Sequence, residues 1–316
     1  MRLLNGIGKV LGCRAWLLAI MTLIVAGALN IQSVQAGPNN VGAKKCKDCH
    51  KAEHGVWKGT KHFKSYRTVH KNKKAKKIVK AVGGKRMKKT ALCKTCHYTT
   101  DKKDRPKSGP SCESCHGAAK NWINIHNDYG KGKTRDTEDA AHKAARKKNA
   151  AAAGMIWPSE TFDVAMNCNG CHGLGNVPKG GDISKMLDAG HPLNAGFELV
   201  KYSQGSVRHR FYPPKVTENQ KMTKAQMSAM FVAGQGASLV AATKAIKKSK
   251  HAKFVAAQKE RIALAKKVLA AVKGAVPAAG KVLSSPTAAN GRALSKAVAG
   301  KDLTGAVGKW LPTSFK

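Results

Sequence analysis

The stretch CKDCH, at residues 46–50, decides the fold because the same pattern recurs three more times in the 316-residue chain. The other copies are CKTCH at 93–97, CESCH at 112–116 and CNGCH at 168–172. Cys13 is the one cysteine of nine that lies outside these copies. Since every copy places a histidine directly after its second cysteine, a single chemical requirement must explain all four.

C-x-x-C-H is the attachment motif of haem c. Two thiols at this spacing reach the vinyl groups along one edge of the macrocycle, and the adjacent histidine ligates the iron. A zinc site or a structural disulfide would leave the repeated histidine unexplained, and a thioredoxin-like site needs one motif instead of four. The motifs therefore predict four covalently bound haem c groups. Their thiols would be Cys46, Cys49, Cys93, Cys96, Cys112, Cys115, Cys168 and Cys171, and their proximal iron ligands His50, His97, His116 and His172.

The composition indicates what fills the interior. Hydrophobic residues make up 42% of the chain, but aromatic residues make up only 5%. Four macrocycles can take the place of the missing aromatic rings. We therefore predict a mainly α multihaem cytochrome c fold, in which short helices and long loops surround four stacked haems.

The C-terminal part has a different composition from about residue 216 onwards, where alanine, lysine and glycine dominate. Val255, Ile262, Ala265, Leu269 and Val272 recur at helical spacing with lysines opposite. This pattern predicts a C-terminal helical region. The region either packs on the haem domain as a cap or forms a partner-binding or oligomerisation tail.

The first 36 residues have the pattern of an export signal. A cationic front at 2–14 precedes an apolar run at 15–29, and VQA at 34–36 offers a small-residue cleavage site. The run is short for a membrane span, which needs ~20 apolar residues, so an uncleaved anchor is the less favoured alternative. We predict a signal peptide at 1–36 that removes Cys13, a tetrahaem cytochrome c domain at 37–215, an Ala/Lys-rich helical region at 216–316, and a periplasmic location.

The net charge of +41 concerns partners and solubility more than fold. Residues 71–89, KNKKAKKIVKAVGGKRMKK, hold ten basic residues in nineteen. This run predicts docking of an acidic redox protein, because complementary charge speeds encounter. A solvated loop and an anionic membrane surface are the alternatives. Export argues against nucleic acid as a partner, and the oligomeric state stays open.

Three stretches resemble the tetrahaem cytochrome c-554 family of periplasmic electron carriers. They are KKCKDCHKAEHGVWKGTKH, GPSCESCHGAAKNWINIH, and CNGCHG followed by DAGHPLNAGFELVKYSQGSVRHRF, and the resemblance covers roughly residues 40–212. It implies a second set of histidines that cap the irons from the distal side. These distal candidates are His62, His126, His191 and His209.

The local sequence agrees with two of these candidates. Gly59 and Thr60 predict a chain break and a helix N-cap directly before His62, which lets this histidine reach a haem other than its own. His126 closes a predicted helix whose Trp122 suits a haem face. The other histidines are predicted not to bind iron, either because they share the proximal face or because they lie in lysine-rich stretches: His54, His70, His142 and His251.

The division of histidines separates a carrier from an enzyme. The resembled carrier leaves its second haem five-coordinate, whereas this chain offers four distal candidates for four haems. That favours four bis-histidine irons and an electron relay between a multihaem oxidoreductase donor and a downstream acceptor. The alternatives are a reductase of nitric oxide-type ligands at one open haem, first of all the haem at His97, and a structural haem-wire subunit. Met87, Met166 and Met222 are further candidate ligands, and Arg210-Phe211 departs from the His-Trp pair of the relatives.

Overall fold

The computed structural model describes residues 39–316, so the predicted export signal and Cys13 lie outside the described residues. In the described part, the strands are limited to one antiparallel pair, β1 (Thr99–Thr100) and β2 (Pro106–Ser108). Short helices and loops make up the rest of the motif-bearing segment. The prediction of a mainly α fold with short helices and many loops is confirmed.

The motif-bearing segment contains ten α-helices, none longer than 13 residues. In chain order they are α1 (Ala43–Lys47), α2 (Lys51–Gly59), α3 (Lys61–Thr68), α4 (Lys73–Ala81), α5 (Ala91–His97), α6 (Cys112–His116), α7 (Ala140–Ala152), α8 (Thr161–His172), α9 (Ile183–Asp188) and α10 (Leu199–Ser203).

The C-x-x-C-H motifs lie at helix ends. Three of them finish a helix, because α5, α6 and α8 each end at the motif histidine. The first motif is split between two helices, since α1 ends at Lys47 and His50 directly precedes α2. At a helix end the ring of a histidine can point away from the helix, on the same side as the two cysteine thiols of its motif.

The helix break before His62 forms as predicted. α2 ends at Gly59, and Thr60 is the N-cap of α3, with its Oγ1 accepting a hydrogen bond of 3.2 Å from the amide of Phe63. Thr60 is itself buried. The chain therefore changes direction at this point, and His62 lies in the first turn of a new helix.

The predicted helix that ends at His126 is wrong. A 3₁₀ turn at Ala119–Asn121 is followed by consecutive turns up to residue 127. The 3₁₀ turn has no side-chain cap at its N-terminus. The amides of Trp122 and Ile123 both bond to the carbonyl of Ala119, so the hydrogen bonds do not propagate as a regular α-helical ladder.

The C-terminal part forms five further helices. They are α11 (Lys224–Ala245), α12 (Ala252–Val272), α13 (Pro277–Ser284), α14 (Ala288–Val298) and α15 (Thr304–Val307). Within the described part, the segment Lys224–Lys248 is long and apolar enough to cross a membrane by length and composition, but most of it is buried inside the fold.

One apolar core joins these helices to the fourth motif. Phe162 and Ala165 of α8 pack in the same cluster as Phe231 of α11, Leu269 of α12 and Leu294 of α14. The C-terminal helices therefore cover the helix that ends in CNGCH. The boundary predicted at residue 215 stays a prediction.

Candidate haem centres

Each motif histidine faces one other histidine across a gap of nearly constant width. The ring centroids lie 6.3 Å apart for His50 and His126, 6.1 Å for His62 and His172, 6.1 Å for His97 and His191, and 6.2 Å for His116 and His209. Every proximal candidate is paired with one distal candidate, and each distal candidate is used once.

This spacing fits one iron between each pair of rings. A metal lies about 2.0 Å from an imidazole nitrogen, and the ring centroid lies about 1.1 Å behind that nitrogen, so two opposed ligands have centroids about 6.2 Å apart. Direct ring stacking would bring the centroids closer, as for His172 and Phe197 at 4.7 Å. The donor set and its spacing therefore fit haem iron, although the ligand assignment itself stays a prediction.

Backbone carbonyls orient several of these rings through Nδ1. The bonds run from His116 to Ile156 O at 2.9 Å, His126 to Ile123 O at 2.7 Å, His191 to Pro192 O at 2.9 Å and His209 to Val207 O at 2.6 Å. A carbonyl oxygen can accept a hydrogen bond only from an Nδ1 that carries the proton, so the lone pair of each ring lies on Nε2. Metal-binding histidines are held in this way.

Burial keeps most of the rings neutral. It lowers the pKa of His97 and of His172 to about 4. Burial also lowers the pKa of His62, His116 and His191. Because iron binds the neutral imidazole, these rings are ready ligands at neutral pH.

His50 differs electrostatically from the other proximal histidines. The carboxylate of Glu53, whose Oε1 lies 3.6 Å from Nδ1 of His50, raises the pKa of His50. A carboxylate that binds the far nitrogen of a ligating histidine also makes the ring a stronger donor.

Side-chain contacts link the motifs in two pairs. The thiols of Cys46 and Cys112 lie close enough to shift each other's pKa, and so do those of Cys96 and Cys171. The first motif therefore adjoins the third, and the second adjoins the fourth. The amide of Asn167 donates to the carbonyl of Cys115 at 2.9 Å, which connects the two pairs.

Three of the four histidines predicted not to bind iron have other partners. His142 Nδ1 bonds to Glu138 at 2.7 Å, and His251 Nε2 bonds to Asp188 at 3.1 Å. His54 lies edge-on to Trp57. His70 lies outside the four ring pairs, and its Nδ1 is buried without a partner in the described structure.

The methionine alternatives occupy apolar packing positions or lie apart from the ring pairs. Met87 is buried in a cluster with Tyr98, and Met166 packs against the C-terminal core. Met222 is half-buried just before α11. All four proximal rings face a histidine, so the ring geometry favours histidine over methionine as the sixth ligand.

Sequence reasoning missed several residues at these centres. Asn194, in the stretch that departs from the relatives, contacts His172 Nδ1 at 3.3 Å and Tyr202 Oη at 3.0 Å. Glu113 and Arg261 are buried beside the third and fourth motifs. Arg261 gave no signal in the hydrophobic pattern of α12, although it lies on the buried side of this helix.

Comparison with known proteins gives two matches. The family model described as cytochrome c554 and c-prime matches residues 45–117, which contain the first three motifs. Cytochrome c-554 of Nitrosomonas europaea is 29% identical over 152 residues, which cover 45% of this chain and 60% of that protein. The chain thus spans less than two thirds of this relative. No solved structure gives a significant match.

The repeated thiol pairs, their adjoining histidines and the mainly α fold define a c-type cytochrome that binds haem c covalently. Such proteins carry electrons. On the two matches, the motif-bearing part of the chain is similar to cytochromes of the c-554 family, and the resemblance predicted from its sequence is confirmed.

Proposed function

We propose that the chain is a periplasmic tetrahaem electron carrier in which all four irons are capped by two histidines. It relays electrons between a multihaem oxidoreductase donor and a downstream acceptor. The observation that carries the proposal is the set of four histidine ring pairs, each 6.1–6.3 Å apart. The export pattern at 1–36 supports the location.

The motif cysteines and the paired histidines would have different roles. The eight motif thiols would hold the four haem c groups, and each pair of histidines would hold one iron. Bound haem c would supply one-electron cycling between Fe(III) and Fe(II). An iron held by two histidines would not bind small molecules, so the protein would pass electrons without binding a substrate at iron.

The ring pair at the second motif supports the carrier over the small-ligand reductase. His97 was the first candidate for an open iron, yet His191 lies opposite it at 6.1 Å. The pKa of both rings is lowered by burial, so both favour the neutral form that binds metal. An open site would need His191 to leave this position.

Spectroscopy of the unaltered protein tests the proposal. We expect four haems per chain, a ferric EPR spectrum with low-spin signals alone, and no change in the visible spectrum when carbon monoxide meets the reduced protein. A high-spin ferric signal together with carbon monoxide binding would contradict the fully capped carrier and favour the reductase.

The basic segment at 71–89 supports an acidic redox protein as partner. In α4, Ala75 and Val79 are buried, whereas Lys76, Lys77 and Lys80 are exposed. The helix therefore packs by its apolar side and presents its lysines to solvent. This segment leads directly into the second motif, so a partner that binds there would lie close to that haem.

Charge reversal tests the docking segment. A Lys76→Glu, Lys77→Glu double variant should lower the rate constant for reduction by an acidic flavodoxin roughly tenfold at low salt. At about 1 M salt the rate constants of the variant and the unaltered protein should converge, because the Debye length is then only ~3 Å. A matched Lys266→Glu, Lys267→Glu variant on exposed positions of α12 is the control.

Equal rates for both double variants would contradict docking at 71–89. Binding to vesicles that contain anionic lipid, lost in the Lys76→Glu, Lys77→Glu variant alone, would instead favour the membrane surface as the partner.

A further inference from the structure

A buried carboxylate lies inside the third motif. Glu113 is 1% exposed and sits between Cys112 and Cys115. Its oxygens accept hydrogen bonds from the amides of Val41 at 2.9 Å, Gly42 at 2.8 Å and Ala119 at 2.8 Å. These three donors bond best to the ionised carboxylate.

The carboxylate acts on both the first and the third motif. The amides of residues 41 and 42 directly precede α1, which carries Cys46, and Cys46 lies close enough to Cys112 and Glu113 for both to raise the pKa of its thiol. None of the ion pairs between described residues involves Glu113. Its negative charge is therefore not cancelled by a neighbouring lysine or arginine.

A buried guanidinium lies against the fourth motif. Arg261 of α12 is 5% exposed, and its Nη2 donates to Oδ1 of Asn169, the residue between Cys168 and Gly170. Its second contact is with the Gln258 amide oxygen at 3.5 Å. Both partners are neutral, and Nε is buried without a partner in the described structure.

The guanidinium is held against the end of the motif helix. Gln258 donates to the carbonyl of Gly173 at 3.2 Å, directly after His172. Gly173 is needed there because a Cβ at this position would clash with the Arg261 guanidinium.

Two more exposed charges, one near the first motif and one near the second, have the same signs. Glu53, beside His50, adds negative charge at the first motif. Lys248 donates to the carbonyl of Val177 at 2.7 Å and adds positive charge near Cys96 of the second motif. Both are more exposed than Glu113 and Arg261, so solvent screens them more strongly.

Charges buried in a low dielectric act strongly on a nearby redox centre. Reduction adds one electron to the haem, so a fixed anion opposes it and a fixed cation favours it. Net charge around the metal is one of the levers that set a haem potential. Keeping an unpaired charge buried costs stability, so these two positions are unfavourable for folding alone.

We propose that Glu113 and Arg261 give the haems of the carrier different reduction potentials. Glu113 lowers the reduction potentials of the haems on the first and third motifs, and Arg261 raises that of the haem on the fourth motif. A single electron on the protein therefore occupies mainly the haems of the second and fourth motifs, which lie beside the basic segment 71–89. The inference rests on the proposed tetrahaem carrier and gives the electron transfer through it a direction.

A spectroelectrochemical titration of the full-length holoprotein tests the proposal. Glu113→Gln should raise the midpoint potentials of one or two of the four haems. Arg261→Gln should lower the potential of one haem, and Arg261→Lys, which keeps the charge, should stay near the unaltered value. The matched controls are Glu218→Gln and Arg292→Gln, which remove the same charges from exposed ion pairs.

A second measurement needs no variant. NMR of the partly reduced, unaltered protein follows the paramagnetically shifted haem methyl signals, and those of the fourth-motif haem should change first. Reduction that begins at the first or third motif would overturn the proposal, even if a variant fails to fold.

The outcomes separate the two levels of inference. Unchanged potentials in Glu113→Gln and Arg261→Gln, with four low-spin haems retained, would overturn the proposal that these two charges set the haem potentials. The proposed tetrahaem carrier would still stand. Fewer than four haems, or open irons, in the unaltered protein would instead contradict the proposed carrier.

Discussion

A His191→Ala variant should bind carbon monoxide at one iron in its reduced state, whereas the unaltered protein should bind none. The reason is that His191 is the ring opposite His97, with centroids 6.1 Å apart. Its Nδ1 donates to the carbonyl of Pro192, so Nε2 keeps the lone pair that would bind iron. Removing this ring would leave that iron without its second histidine.

Two readouts measure the effect. The ferric protein should gain a high-spin EPR signal that corresponds to one of four irons, and carbon monoxide should shift the Soret band of the reduced variant. His251→Ala is a matched control, because it removes a histidine that bonds to Asp188 instead of facing a motif ring. If the His191→Ala protein stays fully low-spin and inert to carbon monoxide, His191 is not the ligand.

A Phe162→Ala variant should lose about 3–5 kcal/mol of stability, because truncating a buried phenylalanine removes apolar burial and leaves a cavity. Phe162 is 1% exposed in the core that α8 shares with the C-terminal helices. α14 approaches it so closely that a Cβ at Gly291 would clash with the ring. Collapse around the cavity is therefore restricted.

Denaturant unfolding followed by far-UV circular dichroism gives the free energy of unfolding. Phe315→Ala is the matched control, since Phe315 is 43% exposed and its truncation should change stability by about 0.5 kcal/mol or less. Equal stabilities for the two variants would show that the C-terminal helices do not support α8. Gly291→Val should also destabilise the protein, because it overpacks the same contact.

Local features were predictable from the sequence because neighbouring residues decide them. The motif spacing depends on five consecutive residues, and the break before His62 depends on Gly59 and on the Thr60 cap. Both are short-range effects that survive in any tertiary context. The same reasoning failed at His126, where the apolar pattern predicted a helix but turns formed instead.

The partners of the histidines were not predictable, because they depend on long-range packing. His62 lies twelve residues after His50, yet its ring faces His172. His126 lies ten residues after His116, yet it faces His50. Proximity in sequence favours neither pairing, since each of these histidines faces a motif other than the nearest one along the chain.

The C-terminal helical region was predictable as helix but not in its buried side. The predicted stripe included Val255 and Ile262, whereas α12 buries Phe254, Gln258 and Arg261. A polar amide and a guanidinium do not register in a hydrophobic pattern. Their burial depends on the oxygen atoms that the fourth motif offers, and the pattern does not contain this information.

The ring pairs would also close four overlapping loops of the chain. With the proposed ligands, the irons would join residues 50 and 126, 62 and 172, 97 and 191, and 116 and 209. Each span overlaps the others, so the segment between the first motif and residue 209 could not extend fully without breaking metal–ligand bonds. Such cross-links lower the entropy of the unfolded chain as disulfides do. Iron would then hold together a domain that has few aromatic residues of its own.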